Sequence, residues 1–305
     1  MEVKEILSGL ENNTGKFPRE ALERAIESKE EITPFLLDTL SECKNKLEDL
    51  FNKPDYFLHI YALFLLAQFR EPKAYPLIID FFSVPGELPL EVTGDVVTED
   101  LDKILASVSD GNIEPIKQLI EKQEVDQFTR SAAIRTLVIL VVQEIIPLEE
   151  VIEYFEKLFL TVFATKDSKT DLEWEGEYVF WTELVINSSI LCPKELKEYI
   201  ERAFDEDLIE PFFFGRDEFN DNLQAGSEAN LNELREDERY SLIEDTISEI
   251  GYWACFEENQ PKKLNNSLTG IEGFSRSGKK TSKSKVKKKK KMQKESRRKN
   301  RAKKK

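Results

Sequence analysis

The sequence predicts an all-α protein, and three observations carry that reading. Apolar residues recur at helical spacing: Leu148, Val151, Ile152, Phe155, Leu158 and Phe159 follow the i, i+3, i+4, i+7 rule of one buried helix face. The helices fall into pairs, and the second member of each pair opens near a proline: Pro34, Pro72, Pro115, Pro147 and Pro193. Proline suits a helix's first turn, where its missing N–H would find no partner anyway. The intervals between these prolines are 38, 43, 32 and 46 residues, around the ~40 of a two-helix repeat. One such pair cannot bury its own apolar face, so neighbours must stack. The expected architecture is a HEAT/armadillo-like α-solenoid of helical hairpins. The variable interval also fits a globular helical bundle.

Taken in order, residues 21–28 are expected to pair with 34–50, 56–68 with 73–82, 99–107 with 114–120, 128–142 with 148–160, and 178–190 with 194–204. The run 57–66, FLHIYALFLL, is apolar nearly all round, so its helix must be covered on both sides. Residues 138–142 are β-branched enough to suggest a strand. They lie, however, in a longer segment, 128–142, without an internal turn signal, which reads as a buried helix. Ile243, Ile247, Ile250 and Ala254 predict a further helix. Two interruptions stand out: 83–94, SVPGELPLEVTG, with turn residues at both ends, and 166–176, polar and acidic around Trp174. Thr98 is the expected N-cap of a helix opening at Glu99, and Asp110-Gly111-Asn112 a tight turn.

Charge divides the chain. The whole has 44 basic and 59 acidic residues. From Pro261 onward there are 20 basic residues against two acids, Glu272 and Glu295, which leaves 24 basic and 57 acidic residues before it. The body therefore carries a formal charge of −33 and the tail +18. Apolar periodicity ends near Phe256, and residues 259–278 are polar and turn-rich. The expected organisation is an acidic α-helical repeat domain over 1–260 and a disordered Lys/Arg-rich tail over 261–305.

The longest nearly unbroken apolar stretch, 132–142, is interrupted by Arg135 and Thr136 and falls far short of the ~20 residues that span a bilayer. The first residues, MEVKEILSGLENN, have early acids and no signal-peptide core. Cys43, Cys192 and Cys255 are odd in number and far apart, with no C-x-x-C, as in a reducing interior. A cytoplasmic location is expected. Each cysteine sits among apolar residues and is expected to be a small buried hydrophobe.

Three stretches carry a family resemblance: FPREALERAIESKEEITPFLL from Phe17, TGDVVTEDLDKILASVSDGNIEPIKQLIE from Thr93, and KELKEYIERAFDEDLIEPFFFG from Lys194. In content, order and spacing the body, roughly 1–260, resembles an uncharacterised, mainly bacterial helical family, domain of unknown function 1186. The resemblance implies a HEAT-like helical fold and brings no catalytic residues. Members of that family often end in a short Cys-rich zinc motif, SEC-C. Ser277-Gly278-Lys279-Lys280 matches only its non-cysteine part. A structural zinc needs four ligands, and no Cys or His follows Cys255. A zinc knuckle is excluded there, and the Lys-rich run stands in its place.

Chemistry is sparse. His59, the single histidine, lies in an apolar helix and reads as a hydrogen-bonded core residue. The acids Asp95, Glu99, Asp100 and Asp102, and then Asp205, Glu206, Asp207 and Glu210, read as solvated helix faces. There is no Glu-x-x-His pair and no Gly-rich phosphate loop, so neither a metal nor a cofactor is expected. Phe212, Phe213 and Phe214, followed by Arg216, are either the cap of the last repeat's core or an aromatic anchor for a protein partner.

The clearest signal is the tail. The candidate phosphate contacts are Lys279, Lys280, Lys283, Lys285, Lys287, Lys288, Lys289, Lys290, Lys291, Arg297, Arg298, Lys299, Arg301, Lys303, Lys304 and Lys305. No aromatic residue follows Phe274, so base stacking is missing and phosphate neutralisation remains. The expected role is a non-enzymatic scaffold or adaptor whose tail contacts RNA, the ribosome or DNA without sequence preference. Two rival readings are an acidic body that binds basic proteins, with the tail as internal competitor, and a carboxylate-based, metal-dependent enzyme.

Overall fold

The computed structural model describes residues 2–168, 177–191 and 194–256, and these are all-helical, with no β-strand among them. The expected basic tail, Trp174, Cys192 and Pro193 lie outside the described residues. The chain opens with α1 (Val3–Leu10), α2 (Arg19–Glu27), α3 (Lys29–Lys44) and α4 (Leu47–Phe51). Then come α5 (Leu58–Gln68), α6 (Ala74–Phe82), α7 (Leu88–Thr93), α8 (Val96–Glu99), α9 (Leu101–Val108) and α10 (Glu114–Glu121). The second half holds α11 (Gln127–Val142), α12 (Leu148–Asp167), α13 (Tyr178–Leu191), α14 (Lys197–Asp205), α15 (Arg216–Ala225) and α16 (Ser227–Arg235). A 3₁₀ turn (Glu238–Tyr240) and α17 (Thr246–Ile250) close it.

The helices with apolar residues all round form an inner row. α5 packs on α9, α9 on α11, and α11 on α13. Ten consecutive residues of α5, Leu58 to Ala67, are buried, as are fourteen of the sixteen of α11 and ten of the fourteen of α13. On one side this row is covered by more amphipathic helices: α3 and α6 on α5, α10 and α12 on α11, and α14 on α13. Each fully buried Leu or Phe removed from water in this way contributes roughly 1.5–3 kcal/mol. The row thus sets every second long helix of the chain beside the next. α11 is helical despite its β-branched stretch because burial on all sides overrides local preference. Asp126 caps it, its side chain accepting from the Phe128 N–H at 2.9 Å.

The other side of the row is covered by a segment that stacked pairs do not predict. After α16, residues 236–256 run back over α11, α9 and α5 towards α2. Gln143 donates to the Tyr240 carbonyl at 2.9 Å, Ser107 Oγ accepts from the Ile243 N–H at 2.8 Å, and Gln68 Oε1 accepts from the Thr246 N–H at 2.9 Å. Trp253 packs edge-on against Phe57 and Phe64, and Phe256 against Phe17 and Phe57. Ile243, Ile250 and Phe256 have no exposed surface.

Among the described residues, three helices end on a non-glycine residue in the left-handed region: Arg70 after α5 (φ 53°), Glu144 after α11 (φ 58°) and Asp207 after α14 (φ 53°). In each, the following N–H reaches back to the carbonyl that closes the last turn: Glu71 to Leu66, Ile145 to Leu140, Leu208 to Ala203.

Several expectations are corrected. Pro34 does not open its helix, because α3 begins at Lys29, where Glu30 and Glu31 favour the positive end of the helix dipole. The expected helix 34–50 breaks after Lys44 into α3 and α4. The interruption at 83–94 contains α7, and α12 continues to Asp167, into the second interruption. Thr98 lies inside α8 and does not cap a helix at Glu99; Asp100 occupies the N-cap position of α9. The last predicted helix spans only Thr246–Ile250, and Ala254 is exposed. Cys255 is exposed, whereas Cys43 is buried as expected.

Candidate functional site

The tail lysines and arginines lie outside the described residues, so the sites that can be built from geometry are in the body. The Phe212–Arg216 corner divides. Phe214 is buried, its ring stacked on Phe204 at 6.1 Å, and it belongs to the core. Phe213 is half-buried and meets Phe212 edge-on at 5.6 Å. Phe212 is 48% exposed. Arg216 places its guanidinium 4.9 Å over the Phe204 ring and pairs with Asp205. The two outward groups of the corner are therefore Phe212 and Arg216, and both sit on a cluster that fixes their position.

A neighbouring ion cluster ties α12 to α14. Lys166 and Arg202 both hold Glu206, at 2.6 Å each, and Arg202 also holds Asp167 at 3.0 Å while stacking 3.9 Å over Phe163. The Arg202 hydrogen bond keeps the Asp167 carboxyl below its ordinary range. Burial acts to raise Glu206, but its two cationic partners outweigh that and lower it.

The densest polar cluster was hidden in the sequence. Asp100, Asp102, Lys103 and Glu183 are buried in the inner row. Arg135 of α11 donates to Asp102 of α9 at 2.6 Å and lies 3.7 Å from Glu183 of α13, so one guanidinium bridges three successive helices of the row. Burial would lower its pKa, but the two carboxylates outweigh that and hold it charged. Lys103 pairs with Glu249 of α17 at 2.6 Å. Burial, with Asp102 and Glu249 nearby, pushes Asp100 well above the ordinary carboxylate range. The expectation that Asp100 and Asp102 lie on a solvated face is thus overturned. The second acidic group fits it better, with Asp205 and Asp207 exposed. The one sign available beforehand was Arg135 inside the apolar run 132–142. Among the described residues, no three His, Cys, Asp or Glu side chains lie close enough to hold a metal ion.

His59 is buried, and its Nε2 lies 3.0 Å from the Val92 carbonyl. A carbonyl only accepts, so Nε2 carries the proton. Burial lowers the imidazole pKa. Its Nδ1 finds no partner among the described residues. Cys43 lines a surface cavity of about 430 Å³ together with Tyr56, Glu42, Lys46 and Phe35. Burial, reinforced by Glu42, raises its thiol to about 11, which keeps it protonated and a poor nucleophile. No helix among the described residues is long and apolar enough to cross a membrane.

No solved structure matches the chain. A protein of Chlamydia trachomatis serovar D, described as an uncharacterized protein, is 37% identical over 254 residues, which cover 83% of this chain and 96% of the relative. A second uncharacterized protein, from Chlamydia muridarum, is 37% identical over the same length and is covered to 97%. The family described as Protein of unknown function (DUF1186) matches residues 1–257, which takes in α1 to α17 and stops short of the basic run, and the chain belongs to that family.

Proposed function

We propose that the chain is a non-enzymatic interaction scaffold whose basic C-terminal run, from Lys279 to Lys305, contacts the phosphates of RNA, on or off the ribosome, or of DNA. The observation that carries this reading is the charge split: 20 basic residues against two acids after residue 260, with no aromatic residue beyond Phe274. Cations without stacking platforms neutralise phosphate and do not read bases. In the body, the polar cluster with most chemistry pairs its acids with Arg135 and Lys103, and His59 is committed to Val92. That favours a structural use of these groups over acid–base catalysis. The body is then the part that meets a protein partner, with Phe212 and Arg216 as one outward contact, and the working compartment is the cytoplasm.

The test compares the full chain with one ended after Gln260, using labelled single-stranded RNAs of unrelated sequence. The full chain binds all of them alike and the shortened one binds none. Equal binding by both chains, or strong preference for one RNA sequence, overturns the reading.

A further inference from the structure

The returning segment is gripped by its backbone. Arg70 donates to the Ile243 carbonyl at 2.6 Å, Ser107 accepts from the Ile243 N–H, Gln68 accepts from the Thr246 N–H, and Gln143 donates to the Tyr240 carbonyl. All four partners are side chains of the inner-row helices or of the residues just past their ends. Contacts of this kind ignore the identity of the residue they hold, so they fit any chain laid along the same path. From Ser241 to Asp245 that path is irregular, with extended backbone at both ends, followed by the single short helix α17.

Selectivity comes from charge and apolar fit. Arg70 takes Glu244 at 2.5 Å, and Lys103 takes Glu249 at 2.6 Å. Beside these acids, Ile243 and Ile250 enter sites that leave no exposed surface. The face therefore reads an apolar–Glu pair, four intervening residues, then a Glu–apolar pair. It does so with two cations, Arg70 and Lys103, on a body whose formal charge is −33. A side-chain grip on backbone combined with paired cations for two glutamates suits an extended acidic peptide.

We propose that this face is a peptide-binding groove occupied in cis by residues 241–250, and that its partner in trans is an acidic segment of another protein with that same spacing. The proposal rests on reading the body as the protein-binding part of a scaffold and is independent of the tail.

The test uses the full chain carrying Glu244→Lys and Glu249→Lys, which weakens the resident segment and leaves the groove intact. The probe is a fluorescent synthetic peptide of wild-type residues 240–256. The variant binds it about tenfold more tightly than wild type does, the factor that ~1.4 kcal/mol of lost competition is worth. Adding Arg70→Ala removes the gain. A charge-matched peptide with I243N and I250N distinguishes the groove from the basic tail: equal binding of that peptide assigns it to the tail and overturns the proposal. So does absence of any gain in a variant that still melts cooperatively, or a variant that dimerises by exchanging the segment with a second copy. If the variant does not fold, hydrogen exchange on wild type decides. The Ile243 and Thr246 amides exchange faster than those of α11 when the segment opens on its own. Equal rates mean that it leaves only on global unfolding, and the groove reading falls. RNA binding measured on the same samples keeps the tail's proposal separately testable.

Discussion

Arg70 reaches the carbonyl of Ile243, 173 residues further along the chain, at 2.6 Å, from a backbone held in the left-handed region at φ 53°. Its other donors serve the Ala67 carbonyl in its own helix and the Glu244 carboxylate beside Ile243. Glu144, the left-handed residue after α11, takes Arg235 at 3.1 Å. Two of the three strained helix ends thus carry side chains that hold the C-terminal part of the body, and glycine, which relieves the strain, would release the hold.

That distinction is measurable. Asp207 shares the φ of Arg70, but its side chain is exposed. Asp207→Gly should stabilise the protein by about 1 kcal/mol, the cost of placing a non-glycine residue there. Arg70→Gly should destabilise it by about 1–3 kcal/mol, because the lost charged hydrogen bonds outweigh the relief. Urea melts of the two variants should move in opposite directions from wild type.

Phe256 marks the true end of the core. It is fully buried between Phe17, at 5.2 Å, and Phe57, at 6.2 Å. Phe256→Ala should cost about 3–5 kcal/mol. A chain ended after Gln260 should keep a cooperative thermal transition, and one ended after Gly251 should lose it, as followed by circular dichroism.

His59 makes stability depend on pH. Its folded pKa lies below the ordinary ~6.5. The folded state then binds fewer protons than the unfolded one, so this contribution is complete above ~6.5 and is lost as pH falls through the lower folded value. His59→Phe leaves the Val92 carbonyl without its donor and should cost about 1–3 kcal/mol at pH 7. The gap to wild type should narrow in melts at pH 5. His59→Lys, which buries an unpaired charge, should cost more than His59→Phe.

Asp100 acts with the opposite sign. Its folded pKa lies above the ordinary carboxylate value, so its contribution is present below ~3.9 and is lost as pH rises through the folded value. The charges that face it are Asp102, Lys103 and Glu99 on its own side and Glu249 from α17. Asp100→Asn should therefore raise the melting temperature at pH 8 and give little gain at pH 4.

The basic run should bind RNA with a steep response to salt. If 6–10 of its cations meet phosphates, affinity for a duplex should fall about 10³–10⁵-fold between 50 and 200 mM salt. Alanine at Lys287 to Lys291 should weaken binding equally across unrelated sequences, as read by fluorescence anisotropy.

The sequence exposed what depends on local pattern. The apolar run at 57–66 announced a helix covered on all sides, and α5 is one; the long segment at 128–142 was correctly a helix in spite of its β-branching. What covers α5 was not legible, because no local rule links Gln68 to Thr246 or Ser107 to Ile243. The buried acids escaped for the same reason. Asp100 and Asp102 look like any charged helix face until Arg135, 33 residues beyond Asp102, is folded against them. Phe214 and Phe212 stand two positions apart in one aromatic run, yet Phe214 is buried against Phe204 and Phe212 is half exposed.

The return of residues 236–256 across α5 also sets an order of events during synthesis. The covering residue Ile243 leaves the ribosome 173 residues after Arg70, which at 5–20 residues per second is roughly 9–35 s later. Throughout that interval one side of α5 has no permanent cover, and a nascent chain that stops early never acquires it. Completion of the fold is thus a check on completion of the body: a truncated product leaves Phe57, Phe64 and their neighbours open to chaperones and proteases, and only a chain that has passed Phe256 withdraws them.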